Sequence, residues 1–532
     1  MGGQQKAPFS VALGIRTGTW HTVRLACTWL ALACGGGGTE PVPTYAPGVS
    51  IVSGAVAMDT IDAILTQPLT VRVADTEGRP IRGAVVRFIP TEISTTPGMF
   101  MGYTTRVSPA PLTAVATWGV ITEAVTNEDG LAQAMVRLGE VAGKGGVAVR
   151  AGYQQYPFES RATTTTFTVN PGGVASIAML PADTSLYVGS RLVLRSIVSD
   201  RHGNVRDDAV SYTAPDGRVS VSGSTITGAA IGRVPIRLTA GGFTDSAAVS
   251  VVPRGTIIAQ AGIELAGERC SLYMFDLDGS NFRLVVETSA AAGTLARLPA
   301  WWTPDGKSVV YADALLSGTI RILDPSTGSW RRLPSAENQL AHEDWPSVSR
   351  DGAWVYFQGV QAAYQSGLYR ISIDGTILEP LRVFGISYPP APAVRLSSPS
   401  PDGTRVVFYD DTGWLLMLDV ATKNVRPLGP QGIGPAWSPI SEEIAFIGAP
   451  VPLPNYPNTI GPLMVINSDG SGLRRVTQRN MFYMRPSWSP DGKYLITSSG
   501  GRIVVVNFAT GEEIPITINA VSKPFLLPAW RP

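Results

Sequence analysis

Apolar and polar residues alternate with a period of two from about residue 50 onward. Leu69, Val71 and Val73 are separated by polar residues, and the turn Asp75–Gly78 then precedes a second apolar run, Ala84–Phe88. Such alternation between turn residues predicts short strands with one buried face. Later runs of the same kind are Ala132–Leu138, Gly146–Ala151 and Thr163–Val169.

These strands predict a β-sandwich over residues 50–171, with Thr91–Ala124 forming an elaborated hairpin or loop. A second sandwich is predicted over residues 172–254, where Ile177–Leu180 and Leu192–Leu194 read as strands. The turn Asp200–Asn204 contains His202, which we expect to be a solvated loop residue and not a ligand.

The strongest signal is a repeated segment of fourteen residues in the second half of the chain. Successive copies start 48, 48, 47, 48 and 40 residues apart. Each copy has an apolar run, a turn rich in Asp, Asn, Gly, Ser or Thr, and a second run, which predicts a β-hairpin. The copies are Leu272–Val285, Ile320–Leu333, Leu368–Leu381, Leu415–Leu428, Leu463–Val476 and Ile503–Ile516.

The fifth position of each copy is a short polar residue, which we expect to cap the hairpin turn. These residues are Asp276, Asp324, Ser372, Asp419, Asn467 and Asn507.

A second motif, of the form Pro-x-Trp-Ser-Pro-Asp-Gly, alternates with the hairpins and precedes another apolar strand. Its copies begin near Pro299, Pro346, Ser398, Pro435, Pro486 and Pro528. The second copy has Val348 in place of the Trp, and the fourth has Ile440-Ser441 in place of Asp-Gly. Hairpin and motif together supply four strands per repeat, the content of one propeller blade.

The ends of the array predict how the ring closes. The first hairpin has no such motif before it, and the last motif, at Trp530, has no hairpin after it. If the C-terminal strand completes the first blade, no sheet edge is left free. We therefore predict an all-β chain: two β-sandwiches followed, over residues 255–532, by a six-bladed β-propeller of four-stranded blades, without a following hydrolase domain.

Several of these segments resemble known families. Residues 68–88 and 126–139 resemble invasin-type bacterial Ig-like domains, and the stretch ending near residue 252 resembles group-2 bacterial Ig-like domains. The alternating hairpin and Pro-x-Trp motifs resemble the TolB-type propeller repeat. These resemblances imply spacer or adhesive modules followed by a propeller that binds another envelope protein or a glycan.

The N-terminus predicts export. Residues 1–24 carry Lys6, Arg16 and Arg24 without an acidic residue, and the apolar run Leu25–Ala33 is too short for a membrane span. The sequence Leu-Ala-Leu-Ala-Cys34 resembles a bacterial lipobox, which implies a signal peptide at 1–33, a lipid on Cys34 and a flexible tether over 34–49. The alternative is cleavage near Ala33 without a lipid. The resemblance implies an envelope protein, anchored in the outer membrane and facing the periplasm or the cell surface.

Composition narrows the function classes. The chain has 532 residues, 16% of them charged, and a net charge of +1, so nothing indicates electrostatic capture of nucleic acid or of an anionic membrane surface. The three cysteines, Cys27, Cys34 and Cys270, exclude a disulfide framework, and Cys270 is predicted to be a buried, inert thiol.

Motifs for catalysis are not found: the sequence has no nucleophile elbow, zinc motif or P-loop. We therefore expect a binding protein without enzymatic activity, cofactor or metal. Asp276-x-Asp278-Gly279 suggests a calcium loop, but later acidic ligands are missing and other copies have ordinary turns there.

Candidate binding residues lie between and within the predicted blades, on the loop face where propeller ligands usually bind. They are His342, Glu343, Asp344, Tyr364, Tyr388, Tyr456, Phe482, Tyr483 and Arg485. A solvated loop is the simpler interpretation of the cluster His342–Asp344. Two other hypotheses stay open: a hydrolase or lyase that uses channel-mouth carboxylates and His342, and a purely structural adhesin or spacer.

Overall fold

The computed structural model describes a chain built from strands, and no helix occurs among the described residues. The all-β prediction is confirmed at this level. In the described part of the chain, no helix is long and apolar enough to cross a membrane. The described ranges are 48–91, 105–109, 121–152, 162–262, 270–287, 298–313, 318–333, 340, 342–360, 366–383, 395–410, 412–448, 451–453, 456–482, 485–518 and 524–532.

Two sheets form the first unit, in the orders β1-β3-β7-β5 and β2-β9-β8-β4-β6. The alternating side chains of both sheets meet in one apolar core, which contains Val71, Phe88, Val136 and Phe167. The strands are β1 (Gly48–Ser53), β2 (Met58–Thr60), β3 (Leu69–Ala74), β4 (Val85–Thr91), β5 (Thr105–Pro109), β6 (Thr122–Val125), β7 (Leu131–Leu138), β8 (Gly143–Gly152) and β9 (Ala162–Asn170).

Three small sheets form the second unit, in the orders β10-β13-β14, β11-β19-β18-β15 and β12-β17-β16. They enclose a separate core around Ile177, Ile226, Leu238 and Val249. The strands are β10 (Ser176–Leu180), β11 (Asp183–Tyr187), β12 (Arg191–Val193), β13 (Arg195–Ser199), β14 (Val205–Arg206), β15 (Ser211–Thr213), β16 (Val219–Ser222), β17 (Thr225–Gly228), β18 (Gly232–Ala240) and β19 (Phe243–Val252).

The repeat region begins with strands that match the predicted hairpins and the strands after each motif. They are β20 (Thr256–Ala261), β21 (Ser271–Asp276), β22 (Arg283–Glu287), β23 (Ala300–Trp302), β24 (Val309–Asp313), β25 (Thr319–Leu323), β26 (Trp330–Arg332), β27 (His342–Val348), β28 (Trp354–Val360), β29 (Ser366–Ser372), β30 (Leu378–Val383), β31 (Arg395–Pro399), β32 (Arg405–Tyr409) and β33 (Trp414–Asp419).

The remaining strands are β34 (Val425–Trp437), β35 (Glu443–Gly448), β36 (Val451–Leu453), β37 (Tyr456–Asn467), β38 (Arg474–Phe482), β39 (Ser487–Trp488), β40 (Tyr494–Ser499), β41 (Arg502–Asn507), β42 (Glu513–Pro515) and β43 (Phe525–Trp530).

Antiparallel sheets of four strands recur in this region. They have the orders β22-β21-β20-β43, β23-β24-β25-β26, β27-β28-β29-β30 and β39-β40-β41-β42. The long strand β34 belongs to two such groups, because it pairs with β33 through its first half and with β35 through its second half. It therefore joins β31–β33 to β35–β38 in one eight-stranded sheet.

The last strand returns to the first sheet of the repeat region. β43 runs antiparallel to β20, and Ile257 lies opposite Trp530. The strands that carry the Pro-x-Trp motif also contact one another in sequence, from β23 to β27, β31, β34, β39 and β43, and β43 contacts β23 again. The described strands thus form a closed ring around a common axis.

The motif tryptophans connect neighbouring sheets. The indole nitrogen of Trp488 donates a hydrogen bond to the carbonyl oxygen of Ala436, at 2.9 Å, and that of Trp302 donates to Ala529, at 3.2 Å. In addition, the amide of Trp530 donates to the hydroxyl of Ser487, at 3.0 Å. Each of these bonds satisfies a buried polar group with an atom of the adjacent sheet.

Candidate binding site

A concave depression of about 320 Å³ lies on the ring axis, where the innermost strands end. Its rim is formed by one equivalent residue of each motif copy, which follows a Ser or Thr in the first five copies and Arg531 in the sixth. Five copies have Pro at this position, and the second copy has Arg350. The rim prolines are Pro304, Pro401, Pro439, Pro490 and Pro532.

The walls of the depression combine indole rings with hydroxyl groups. They include Trp301, Trp302, Trp437, Trp488 and Trp530, together with Ser398, Ser438, Ser487 and Ser489. Tryptophan presents a large rigid surface with little side-chain entropy, which suits recognition of a partner. The site can therefore offer apolar contacts with a few hydrogen-bonding groups.

The rim turns are fixed by a repeated hydrogen-bond pattern. The hydroxyl of Ser489 donates to Asp491 Oδ1, at 2.6 Å, and accepts a hydrogen bond from the amide of Tyr494, at 2.9 Å. Thr303 and Ser400 make the same two kinds of bond in their own copies. The pKa of Asp402 is lowered to about 2, chiefly by the hydrogen bond that its carboxylate accepts from the hydroxyl of Ser400. This turn therefore stays anionic at neutral pH.

Arg350 is the one residue with a charged side chain among those that line the described depression. It is exposed, and its Nη1 donates a hydrogen bond to the carbonyl oxygen of Pro439, at 2.5 Å. This hydrogen bond joins the second motif copy, which overlaps the end of β27, to the fourth motif copy, which lies at the end of β34. A guanidinium is therefore held at the rim, where it can meet an anionic group of a partner.

Arg485 lies deeper on the same axis. A small cavity of about 20 Å³ adjoins its side chain and is otherwise lined by Pro299, Ala300, Trp301, Pro346, Leu396, Leu527 and Pro528. Arg485 is only 6% exposed, and its guanidinium carbon lies 3.7 Å from the ring centroid of Trp301. Burial lowers the pKa of Arg485 to about 9. Arg485 is thus an interior residue, which differs from the loop position expected from the sequence.

The cluster His342–Asp344 occupies the start of β27, at the opposite end of that strand from the depression. Glu343 is 1% exposed and Asp344 is 8% exposed, so the solvated loop expected there is wrong for both carboxyls. Glu343 Oε2 accepts a hydrogen bond from the amide of Ile320, at 3.0 Å, and burial raises the pKa of Glu343 to about 7.

The other sequence-predicted site residues are placed only in part. Tyr364, Tyr388 and Tyr483 lie outside the described residues, as does Cys34. Tyr456 begins β37 and Phe482 ends β38, where Phe482 pairs with Ile460. The binding role of this set stays a prediction.

Within the described ranges, no three His, Cys, Asp or Glu side chains lie close enough together to hold a metal ion. Asp278 Oδ1 accepts a hydrogen bond from the amide of Ser280, at 3.0 Å, and Asp276 Oδ2 accepts one from the side chain of Asn281, at 2.7 Å. These carboxylates therefore stabilise the hairpin turn, as the sequence indicated. Cys270 is buried, and its Sγ accepts a hydrogen bond from Gln260 Nε2, at 3.3 Å.

Sequence reasoning missed the depression, because it treated the Pro-x-Trp motif only as a packing element. One signal was present: the second copy departs from the motif at Val348 and Arg350, and Arg350 is charged where five copies have Pro.

Solved structures similar to this chain include TolB proteins and an oligogalacturonate lyase. The crystal structure of TolB from Acinetobacter baumannii matches with a TM-score of 0.41 and 17% identity, covering 62% of this chain and 84% of that chain. A TolB candidate from Agrobacterium tumefaciens matches at 0.37 and 15%, covering 50% and 90%. An oligogalacturonate lyase in complex with manganese matches at 0.29 and 15%, covering 50% and 74%. No family model and no curated protein matches the sequence.

Proposed function

We propose that this chain is a cell-envelope binding protein, with two Ig-like modules and a six-bladed, TolB-like propeller whose axial depression recognises a protein partner. The observation that carries this proposal is the concave, tryptophan-lined depression with Arg350 at its rim. Its volume of about 320 Å³ lies within the range of ligand sites, roughly 300–1,000 Å³. A glycan is the alternative partner.

The blade number is supported by the ring of contacts. Six motif-bearing strands follow one another around the axis among the described residues, and β34 supplies the inner strand of one group and the outer strand of the preceding group. Counting the two halves of β34 separately, and setting aside the short strand β36 that pairs with the start of β37, gives six four-stranded blades, closed by β43. The stacked sheets of the first two units support the Ig-like assignment.

The envelope location rests on the N-terminal sequence. The apolar run that ends in Ala-Leu-Ala-Cys34 supports export and a lipid on Cys34, and the Gly- and Pro-rich segment 35–49 would serve as a tether. We propose that the lipid places the chain at the outer membrane.

A hydrolase or lyase that uses His342 is the second candidate function. The raised pKa of Glu343 favours it, because perturbed carboxyls often act as general acids or bases. Against it, Glu343 accepts a hydrogen bond from a backbone amide and lies at the far end of β27 from the depression. A purely structural spacer is the third candidate, and the concave depression argues against it.

The binding proposal can be tested by photo-cross-linking. In the tagged full-length chain, p-benzoylphenylalanine would replace Pro304 at the rim, and the chain would be irradiated in bacterial envelopes. We expect a discrete adduct, which mass spectrometry identifies as protein or glycan. Pro401→Trp should abolish it by filling the depression. The turn accepts a residue other than Pro at this position, as Arg350 shows.

Lys307→Trp is the matched control, because Lys307 is exposed on a rim turn but does not line the depression. Its adduct should be unchanged. Absence of any adduct, or an adduct that persists in Pro401→Trp, would refute recognition through the depression.

A further inference from the structure

Arg485 carries a positive charge in an apolar environment. Among the described residues, its cavity is lined by Pro, Ala, Trp and Leu side chains, and none of these is acidic. The guanidinium carbon lies over the ring of Trp301, at 3.7 Å from its centroid. Such a contact stabilises a cation only modestly. Transfer of a guanidinium-sized ion from water costs more than this even after relaxation, so the ring alone does not balance the charge.

Two nitrogen atoms of Arg485 lack an acceptor among the described residues. Nε and Nη2 are buried and donate to no atom of the described part of the chain. None of the described residues forms an ion pair with Arg485, and burial lowers the pKa of its guanidinium to about 9. The side chain is therefore cationic at neutral pH.

The backbone around Arg485 is tightly fixed. A Cβ atom at Gly434 would lie 2.9 Å from the Cα atom of Arg485, so the neighbouring strand approaches the arginine as closely as a residue without a side chain permits. Gly434 also has a φ of 62°, which suits glycine. The guanidinium is thus held in position by packing, as expected for a preformed site.

We propose that the cavity beside Arg485 binds a single small anion, with chloride as the physiological ligand. A space of about 20 Å³ admits roughly one particle the size of a water molecule. A water molecule would accept hydrogen bonds but would not compensate the charge, and a phosphate group needs a larger cavity. Chloride supplies the charge and accepts a hydrogen bond from the guanidinium of Arg485, which lines the cavity.

Trp301 lines both this cavity and the depression, so the anion site lies directly beneath the proposed partner site. The anion would hold Arg485 against Trp301 and so fix one wall of the depression. The anion site itself does not depend on the partner-binding proposal.

The test measures the melting temperature of the full chain as chloride replaces gluconate at constant ionic strength. A ligand that binds only the folded state raises stability by about 1.4 kcal/mol for each tenfold increase above its Kd, which corresponds to roughly 1–2 °C here. We expect this rise in the wild type and in Arg502→Met, a surface control. Arg485→Met should show no chloride dependence. An equal chloride response in Arg485→Met would overturn the proposal.

Crystals soaked in bromide give a readout that needs no variant. We expect an anomalous peak in contact with the Arg485 guanidinium. If the peak is absent and the wild-type melting temperature does not respond to chloride, the site does not bind a small anion. Because both measurements leave partner cross-linking untouched, failure here is distinguishable from failure of the binding proposal.

Discussion

Glu343 links two neighbouring sheets through a single buried carboxyl. Its Oε2 accepts a hydrogen bond from the amide of Ile320 on β25, and its own amide donates to the carbonyl oxygen of Gly318, at 2.8 Å. Burial raises the pKa of Glu343 to about 7, and the charge of Arg332 offsets part of this rise. The carboxyl is therefore protonated more readily in the folded chain than in the unfolded chain.

Stability should consequently fall as pH rises. The folded state binds more protons than the unfolded state between the unfolded pKa, 4.5, and the folded pKa, about 7, so the free energy of unfolding decreases across this window and is constant above it. Glu343→Gln keeps an acceptor for Ile320 without a charge. We expect it to exceed the wild type in stability at pH 8 by up to roughly 3 kcal/mol, with little difference at pH 4.5.

Urea denaturation followed by tryptophan fluorescence at both pH values would measure this difference in the free energy of unfolding. Glu128→Gln, at an exposed turn of the first unit, is the control and should retain the wild-type pH dependence. A Glu343→Gln variant with that same dependence would contradict the assignment.

Local side-chain chemistry was predictable where it acts within one turn. The fifth hairpin position caps backbone amides as expected: Asp324 accepts from Ser326, Asp419 from Thr422, and Asn507 from Ala509. The burial of Glu343 was not predictable, because its partner Ile320 lies 23 residues away in sequence. The hydrogen bond between Glu343 and Ile320 depends on how neighbouring sheets are placed in the ring, and no local sequence pattern predicts that placement.

Strand pairing was largely readable from the repeat. The fourteen-residue copies form antiparallel pairs, because each contains two apolar runs and a turn. The continuity of β34 was missed. Only six residues separate Leu428, the end of the fourth hairpin, from Pro435, the start of the next motif. Because this connection is so short, the chain stays extended as it passes from one sheet to the next.

A bulge in the innermost strands was also missed. Trp345, Leu396 and Leu527 have φ values of 56°, 41° and 49° at the same repeat position, next to register shifts. Bulky residues rarely adopt this conformation, which costs roughly 1–2 kcal/mol each. The residue types at these positions therefore did not indicate a bulge. The tight convergence of strands at the axis imposes the positive φ values.

The closing strand should contribute strongly to stability. Trp530 is buried in β43, in a core shared with Ile257 and Phe275 of the first sheet. Trp530→Ala leaves a large cavity and weakens closure, so we expect a loss of about 3–5 kcal/mol in the free energy of unfolding. Chemical denaturation of the full chain measures it.

Trp414→Ala is the matched control, because Trp414 begins β33 with an exposed side chain. It should change stability by less than about 1 kcal/mol. Equal losses in the free energy of unfolding in the two variants would contradict a special contribution of the closing strand to stability.

At the scale of the whole molecule, the three parts are joined by specific contacts. The second unit contacts the repeat region through Arg218, whose Nη1 lies 2.6 Å from Glu512 Oε1, and through Ser250, whose hydroxyl donates to the carbonyl oxygen of Pro515. Tyr187 of the second unit also packs into the core that contains Trp530. The sequence predicts boundaries near residues 171 and 254, but contacts between the parts join residues hundreds of positions apart and leave no local pattern in the sequence.

The junction of the first two units depends on the turn Asp200–Asn204. Asn204 Oδ1 accepts a hydrogen bond from the amide of Ala142, at 2.9 Å, and Asn204 Nδ2 donates to the carbonyl oxygen of Glu140, at 2.7 Å. His202 is exposed on this turn, as the sequence predicted, and its Nε2 lies 3.5 Å from Asp62 Oδ2. These bonds cross from one core to the next, so the turn fixes the angle between the units.

Asn204→Ala should therefore loosen this junction without unfolding either unit. Removal of the acceptor for Ala142 should accelerate amide exchange in a peptide that spans residues 140–142, measured by hydrogen–deuterium exchange of the full chain. Asn127→Ala is the matched control: Asn127 caps a similar turn within the first unit, accepting from Asp129 and Leu131. That variant should leave exchange at residues 140–142 unchanged. If Asn204→Ala leaves it unchanged as well, the angle between the units is not held by this turn, and the sandwiches act as a flexible spacer.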